Sequence, residues 1–541
     1  MHFFAYSSIL TCLIFLPFIG AAIIALLPAA RTRLIRNSAL AVFAGMLAIC
    51  VALARLLNWH AGWQLMQSAH WFGGLRYSVG ADGLTALTLL ALCGLAFIAA
   101  LASYVIDEQT KTWYVLLLVL SGCLVGAICS MDMMLFAGFG ALNILPGYFL
   151  FGLWGGPSRR AAAMKYAMIA TLGAMAMFIA VMLLWLQCKD AGLLNPPHSV
   201  AAVAAASAIR PPVHAAEPAL THATLAFSRL GAFDIRRFDN LIGGRGPWVA
   251  FLLVMLALAV RMGLPGGHIW LPDTMAEGTA SALGLAVGGN FLLAVYTLLR
   301  LVGPLFAQQL AEHRSGLLVW GIAGLIYAAF CALAQSDLRR LIAYWLTSQA
   351  AMVLLAFATL EHAGIKAIEL FASGDTLTLM LLLWSSHVLA RRTAGRDLNS
   401  LGGIASLSPE FFTVALVGFL AGMACPGLSL FPAELFAAMA NFSAAHHDMS
   451  PTSAGWFHNH SFIFAAFASA LGFALLAAAL YWAMERIFLG AVRPEYHHFT
   501  RLTAAERGIF IVLVTAEFAL GLFPAALVLG PASYILGHAT G

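Results

Sequence analysis

Residues 247–267 read PWVAFLLVMLALAVRMGLPGG: an unbroken apolar run from Trp248 to Val260, a single charge at Arg261, then Met262-Gly263-Leu264-Pro265-Gly266-Gly267. The run has no polar face to turn to water, so it predicts a helix solvated by lipid rather than an amphipathic surface helix. Proline removes a backbone donor and glycine adds conformational freedom, so this helix is predicted to be interrupted just after Arg261. Backbone freed at such a break survives in a membrane only where protein or water meets it. A buried cation beside a break therefore points to an ion path.

The pattern repeats along the chain. Of 541 residues 62% are hydrophobic and only 9% charged, with a mean hydropathy of +0.90, whereas a soluble domain carries about a quarter charged residues. Reading apolar runs against charged breaks predicts an all-α polytopic membrane protein of about fourteen spans, with cores near 7–28, 37–57, 84–105, 113–131, 133–154, 161–187, 247–270, 281–305, 316–336, 338–360, 364–390, 410–438, 459–485 and 508–530. The pair at 113–154 is split mainly at Asp132. The first run, Ile9–Leu27, lacks a basic leader and is followed by Arg31, Arg33 and Arg36, so it reads as an uncleaved span rather than a secretory signal. The spans group into helices 1–4 (1–131), a core of helices 5–10 (132–360) and helices 11–14 (361–541).

Lysine and arginine orient these spans. Alternate connections hold Arg31/Arg33/Arg36, Lys111, Arg159/Arg160, Arg339/Arg340, Arg391/Arg392/Arg396 and Arg486/Arg493/Arg501/Arg507, while the seventh-to-eighth connection offers only Asp273 and Glu277. The positive-inside rule puts that face in the cytoplasm and both termini outside the inner (plasma) membrane. The net charge of +5 is spread over these connections rather than gathered in a basic domain, which excludes nucleic acid as a partner and leaves the lipid bilayer. An Ala- and Pro-rich outer connection over 188–246 is predicted to be flexible. A histidine-rich one over 439–458 (His446, His447, Asp448, His458, His460) has no standard metal-ligand spacing and reads as a solvated loop. Eight cysteines lie singly, without CxxC spacing, so no metal, cluster or other cofactor is expected in this chain.

A second break, Cys425-Pro426-Gly427 followed by Pro432, falls in the twelfth span, so the seventh and twelfth helices are both predicted to be discontinuous. Ionisable residues inside the spans cost at least about 2.5–3.5 kcal/mol each unless paired or hydrated. They are Lys165 in the sixth, Arg261 in the seventh, Glu369, Asp375 and His387 in the eleventh, and Glu434 beyond the second break. Lys165 and His387 lie near helix ends, where snorkelling explains them as well as transport does. Arginine keeps its proton throughout any cycle, so Arg261 can set a field but not relay, and Glu434 is the best exchanging group of the set.

Particular segments resemble the antiporter-like membrane subunits of respiratory complex I, above all the M type (chain 4) of bacterial NADH:quinone oxidoreductase. They are Val79-Gly80-Ala81-Asp82-Gly83-Leu84, Gly152-Leu153-Trp154-Gly155-Gly156, Ala162-Ala163-Met164-Lys165-Tyr166, Phe233-Asp234-Ile235, and Ala259-Val260-Arg261-Met262 leading into His268-Ile269-Trp270-Leu271-Pro272-Asp273. Asp337-Leu338-Arg339-Arg340-Leu341-Ile342-Ala343-Tyr344, Gly395-Arg396-Asp397-Leu398 to Gly402-Gly403, and Pro426-Gly427 with Glu434 complete the set. The resemblance implies a proton-translocating module working with other membrane subunits of an NADH:quinone oxidoreductase in a respiratory chain, with redox chemistry outside this chain.

In that family a fifth-helix Glu pairs with a seventh-helix Lys, a Lys of the eighth-helix region with two histidines forms the central relay, and a twelfth-helix Glu leads outward. Here these positions hold Ala141, Arg261, Leu292 (with Asn290 nearby), Gln349, Ser373 and Glu434. The resemblance thus makes Arg261, Glu434, Lys165, His268, Gln349 and Asp375 the candidates for the proton path, with Asp375 a substitute carboxylate. The missing titratable groups predict a divergent path. The alternatives are a non-pumping structural subunit, or a subunit of a multisubunit sodium/proton antiporter or membrane-bound hydrogenase.

Overall fold

A computed structural model describes residues 9–59, 62–70, 76–190, 246–393, 395–448, 456–493, 496 and 499–524. Within them the predicted spans are all present as helices. They are α1 (Ile9–Leu26), α2 (Thr32–Leu56), α3 (Gly83–Ala102), α4 (Thr110–Cys129), α5 (Met133–Leu142 and Ile144–Leu153), α6 (Arg159–Asp190) and α7 (Gly246–Met262, then His268–Trp270 and Leu271–Glu277). There follow α8 (Ala280–Leu305), α9 (Arg314–Leu333), α10 (Leu338–Ala358), α11 (His362–Arg392), α12 (Pro409–Gly422 and Leu430–Asp448), α13 (Trp456–Phe488) and α14 (Ala504–Leu522). Eleven are apolar runs long enough to cross a membrane. Breaks shorten the segments of α7 and α12, and α14 carries Glu506, Arg507 and Glu517.

Asp132 separates α4 from α5 as the sequence predicts, by capping α5: its carboxylate accepts from the backbone N–H groups of Met134 and Leu135 at 2.9 and 3.1 Å. The two long breaks also stand where expected, and tryptophan indoles satisfy carbonyls that they free. Trp270 donates to the Val260 carbonyl at 3.0 Å and Trp320 to that of Pro265 at 3.0 Å. Trp345 donates to the Gly422 carbonyl, at the end of the first half of α12, at 3.1 Å. Gly263 and Gly266 take φ values of +73° and +101°, and Gly427 takes +90°, which explains the glycines in both breaks. Nearly the whole of α8, α10 and α11 is buried, whereas α1, α2, α6 and α13 keep wide apolar faces outward, as lipid requires.

Three features depart from the sequence reading. A β-hairpin, β1 (Gln64–His70) with β2 (Arg76–Ala81), stands between α2 and α3 in a chain read as wholly helical. It is short and mostly polar, so periodicity did not reveal it. It docks on the loop after α4 through Met131 N–H to the Ser78 carbonyl, 2.9 Å. The histidine-rich connection is shorter than predicted, because α12 runs to Asp448 and α13 begins at Trp456. A turn at Asn143 divides α5, three residues before Pro146. The predicted insertion over 188–246 and the Phe233-Asp234-Ile235 segment lie outside the described residues, apart from the last turn of α6 and Gly246.

The seven connections of the basic side, six of them basic and one acidic, form one connected face. Arg36 pairs with Asp107 at 2.7 Å, and Trp154 donates to the Glu108 carbonyl at 2.9 Å. Gly156 N–H donates to the Glu277 carbonyl at 2.8 Å, and Arg339 donates to the Gly278 carbonyl. Arg396 lies 3.8 Å from Asp337, and Gly403 N–H donates to the Leu489 carbonyl at 2.9 Å. The acidic connection that broke the charge pattern has its explanation here: Asp273 pairs with Lys165 at 2.7 Å and Arg340 at 3.5 Å.

Candidate functional site

Arg261 reaches from the end of the first half of α7 to α5, where its Nη2 donates to the Gly140 carbonyl at 3.0 Å. Its Nη1 is buried without a hydrogen-bond partner. Gly140 makes this approach feasible, since a Cβ there would stand 3.0 Å from Nη2 and 3.2 Å from Nη1. The neighbouring position is Ala141, where the resemblance leads one to expect a carboxylate. A backbone carbonyl next to the turn in α5 thus takes part of the counter-ion's place.

One helical turn along, the Asn143 amide donates to the Asn290 side chain on α8 at 3.3 Å, and the Asn290 amide donates in turn to the Ala286 carbonyl at 2.7 Å. Asn290 sits just beyond a stretch of widened helix, Gly284–Gly288, in which the hydrogen bonds skip to the fifth residue. Two residues further on, Leu292 lines a small cavity between α3, α8 and α11 together with Ser373, Thr88, Tyr296 and Glu369. Two positions of the expected central relay, 292 and 373, therefore meet in space although neither holds a titratable group.

The third, Gln349 on α10, donates from its amide to Asp375 Oδ1 on α11 at 3.0 Å, and Asp375 Oδ2 is buried without a partner. Gly374 lets the broken helix come this close: a Cβ there would meet Leu430 at 2.8 Å and Ser429 Oγ at 3.3 Å, both at the start of the second half of α12. Glu434, one turn into that half and half-buried, and Glu517 of α14 are acidic groups whose charge acts on Asp375. Glu517 is fully buried and accepts from Thr378 Oγ1 of α11 at 2.9 Å.

The other two candidates stand apart from these links. Lys165 is half-exposed at the basic face, in its ion pair with Asp273. His268, in the second half of α7, lies 3.2 Å from the Tyr327 hydroxyl, with Nδ1 buried and unpartnered. His387, near the basic end of α11, stacks on Trp384 at 5.0 Å. Sequence reasoning missed Asn143 and Glu517. An acid inside an apolar run was a sufficient signal for Glu517, whereas Asn143 carried none. Glu369 was noticed but left out of the candidates, since its cavity depends on helices far apart in the sequence.

Comparison with known proteins follows the same lines. The family model described as NADH:quinone oxidoreductase/Mrp antiporter, TM, matches residues 220–455. NAD(P)H-quinone oxidoreductase chain 4 3 of Trichormus variabilis is 26% identical over 530 residues, covering 95% of this chain and 88% of the relative. Chain 4 of Gloeobacter violaceus is 27% identical over 527 residues, covering 95% and 89%. Among solved structures, respiratory complex I from Thermus thermophilus with bound NADH superposes with a TM-score of 0.79 at 22% identity over 98% of this chain and 99% of its counterpart. The Mrp complex from Dietzia does so with a TM-score of 0.79 at 18% identity over 99% and 98%. At these identities the structures speak for the fold alone, and the sequence matches for a similarity that runs along nearly the whole chain. Over residues 220–455 the chain is thus similar to the antiporter-like membrane subunits of the NADH:quinone oxidoreductase/Mrp family, and along nearly its whole length it is similar to chain 4 of NAD(P)H-quinone oxidoreductase.

Proposed function

We propose that this chain is a proton-translocating membrane subunit of a complex I-like NADH:quinone oxidoreductase, assembled beside other membrane subunits that adjoin the redox-active part. The observation that carries this reading is a set of three polar links inside the helical bundle, Arg261 to the Gly140 carbonyl, Asn143 to Asn290, and Gln349 to Asp375. Polar groups inside apolar helices are costly, and a set of them that includes an unpartnered carboxylate oxygen suits a path for protons better than a packing role. Arg261 supplies a fixed positive field, Asp375 the exchanging group, and Glu434 the next carboxylate toward the outer face. Lys165 and His268 belong to the basic face and to the outside of α7 rather than to this set. The face formed by the seven linked connections is cytoplasmic, which puts both termini of the chain on the outer side of the plasma membrane.

Asp375→Asn keeps the hydrogen bond from Gln349 and removes the exchangeable proton. In the native assembly it is expected to lower the protons moved per electron pair while quinone reduction continues, read from acidification in sealed vesicles. An unchanged ratio would contradict the reading. A second reading, a subunit of a multisubunit sodium/proton antiporter, is favoured by the equal fold likeness to the Mrp complex. It predicts that gradient formation follows added sodium rather than NADH oxidation.

A further inference from the structure

Glu369 lies on α11, about 10 Å in from its start at His362 by helical rise, and is 2% exposed. Both of its carboxylate oxygens are buried without a hydrogen-bond partner. It borders the cavity between α3, α8 and α11, where Leu292 and Ser373 also stand. A carboxylate without a hydrogen-bond donor is among the costliest groups to bury, and glutamine matches its shape, so the acid can be removed without changing the packing. The charged groups around it are Asp82 and Lys366. Lys366, on the same helix one turn outward, has its ammonium 6.0 Å from the Phe436 ring. Nothing in the packing of α11 explains why an acid rather than a leucine stands at 369.

The cavity has a polar end. Tyr296 lines it, and the Tyr296 hydroxyl lies 3.2 Å from Thr85 Oγ1, which donates to Asp82 Oδ1 at 2.8 Å. Asp82 caps α3 and pairs with Arg300 of α8, whose guanidinium lies 4.0 Å over the Trp63 ring at the foot of the hairpin. Going outward from Asp375, α11 thus offers a second carboxylate about 9 Å away, then a hydroxyl pair, then an ion pair at the end of the bundle opposite the basic face.

We infer that Glu369 is a proton-exchange site in the cavity between α3, α8 and α11, and that it discharges outward past Tyr296 and Thr85 to the Asp82–Arg300 pair. The inference rests on the translocation reading above and names a carboxylate for the relay cavity in which Leu292 and Ser373 hold none. The species bound is a proton delivered by water. A proton arriving from the Asp375 side forms an O–H bond on the Glu369 carboxylate, and its release to water in the cavity breaks that bond and restores the carboxylate. No electron moves and no other reactant is needed. This exit through α3 and α8 is distinct from the one through Glu434 on α12.

The test uses the native assembly in sealed vesicles, with protons moved per electron pair and the quinone reduction rate measured together. Glu369→Gln is expected to lower the ratio by as much as Glu434→Gln or more, with Glu369→Asp restoring part of it. Glu312→Gln, an exposed change on the outer side, is expected to leave it alone. A fall for Glu434→Gln with no fall for Glu369→Gln would overturn the Glu369 assignment and leave the translocation reading standing. No fall for either, nor for Asp375→Asn, would remove the translocation reading itself. Quinone reduction in the same vesicles reports assembly. Should the Glu369→Gln particle not assemble, Tyr296→Phe decides: a lowered ratio supports the exit and an unchanged one overturns it.

Discussion

Two ion pairs with similar geometry have opposite worth, and burial decides it. Asp82 and Arg300 are 5% and 9% exposed at their side chains, while Lys165 and Asp273 are each 38% exposed. Removing one partner of a buried pair leaves the other charge stranded and costs about 3–5 kcal/mol, whereas a half-solvated pair contributes at most about 1 kcal/mol. Asp82→Asn is therefore expected to lower the thermal midpoint of the purified assembly by several degrees, and Asp273→Asn to leave it nearly unchanged; equal shifts would contradict this ranking. Residue chemistry was only partly legible in the sequence. Arg261 and Asp375 were visible as ionisable groups in apolar runs, and Gln349 only through the resemblance. The Gly140 carbonyl was invisible, because a backbone acceptor becomes available only where the helix turns at Asn143.

At the scale of helices, the fourteen spans were legible because lipid leaves a chain few solutions: each backbone polar group must be satisfied within its own segment. The breaks in α7 and α12 were legible for the converse reason, as Pro and Gly side by side cannot continue a helix. Their stabilisation was not, since it depends on tryptophans elsewhere in the fold. Trp345→Phe keeps the ring and removes the donor from the Gly422 carbonyl, so it is expected to destabilise the α12 break by about 1–3 kcal/mol, the cost of an unmade buried hydrogen bond. Faster proteolysis or hydrogen exchange confined to the residues around 423–429 would register it; exchange unchanged there would show that the indole is dispensable. The hairpin before α3 escaped notice because short polar strands carry little periodicity, yet it brings Trp63 against Arg300.

For the whole molecule, the decisive arrangement is a largely apolar, helix-enclosed centre crossed by a few polar groups, with its basic connections tied together at one end. Arg339, buried at the inner end of α10, links the α7–α8 connection to Ser386 of α11, and so joins the basic face to the helix that carries Glu369 and Asp375. That layout followed from charge counting before any contact was known, whereas the meeting of positions 292, 369 and 373 in one cavity required the fold. The account's central claim is that this chain moves protons with carboxylates where its relatives' pattern leads one to expect lysine. The most direct measurement is the number of protons moved per electron pair by the native assembly carrying Asp375→Asn together with Glu434→Gln. The account predicts a lower ratio at an undiminished rate of quinone reduction per assembled particle; a ratio equal to that of the unaltered assembly would contradict it.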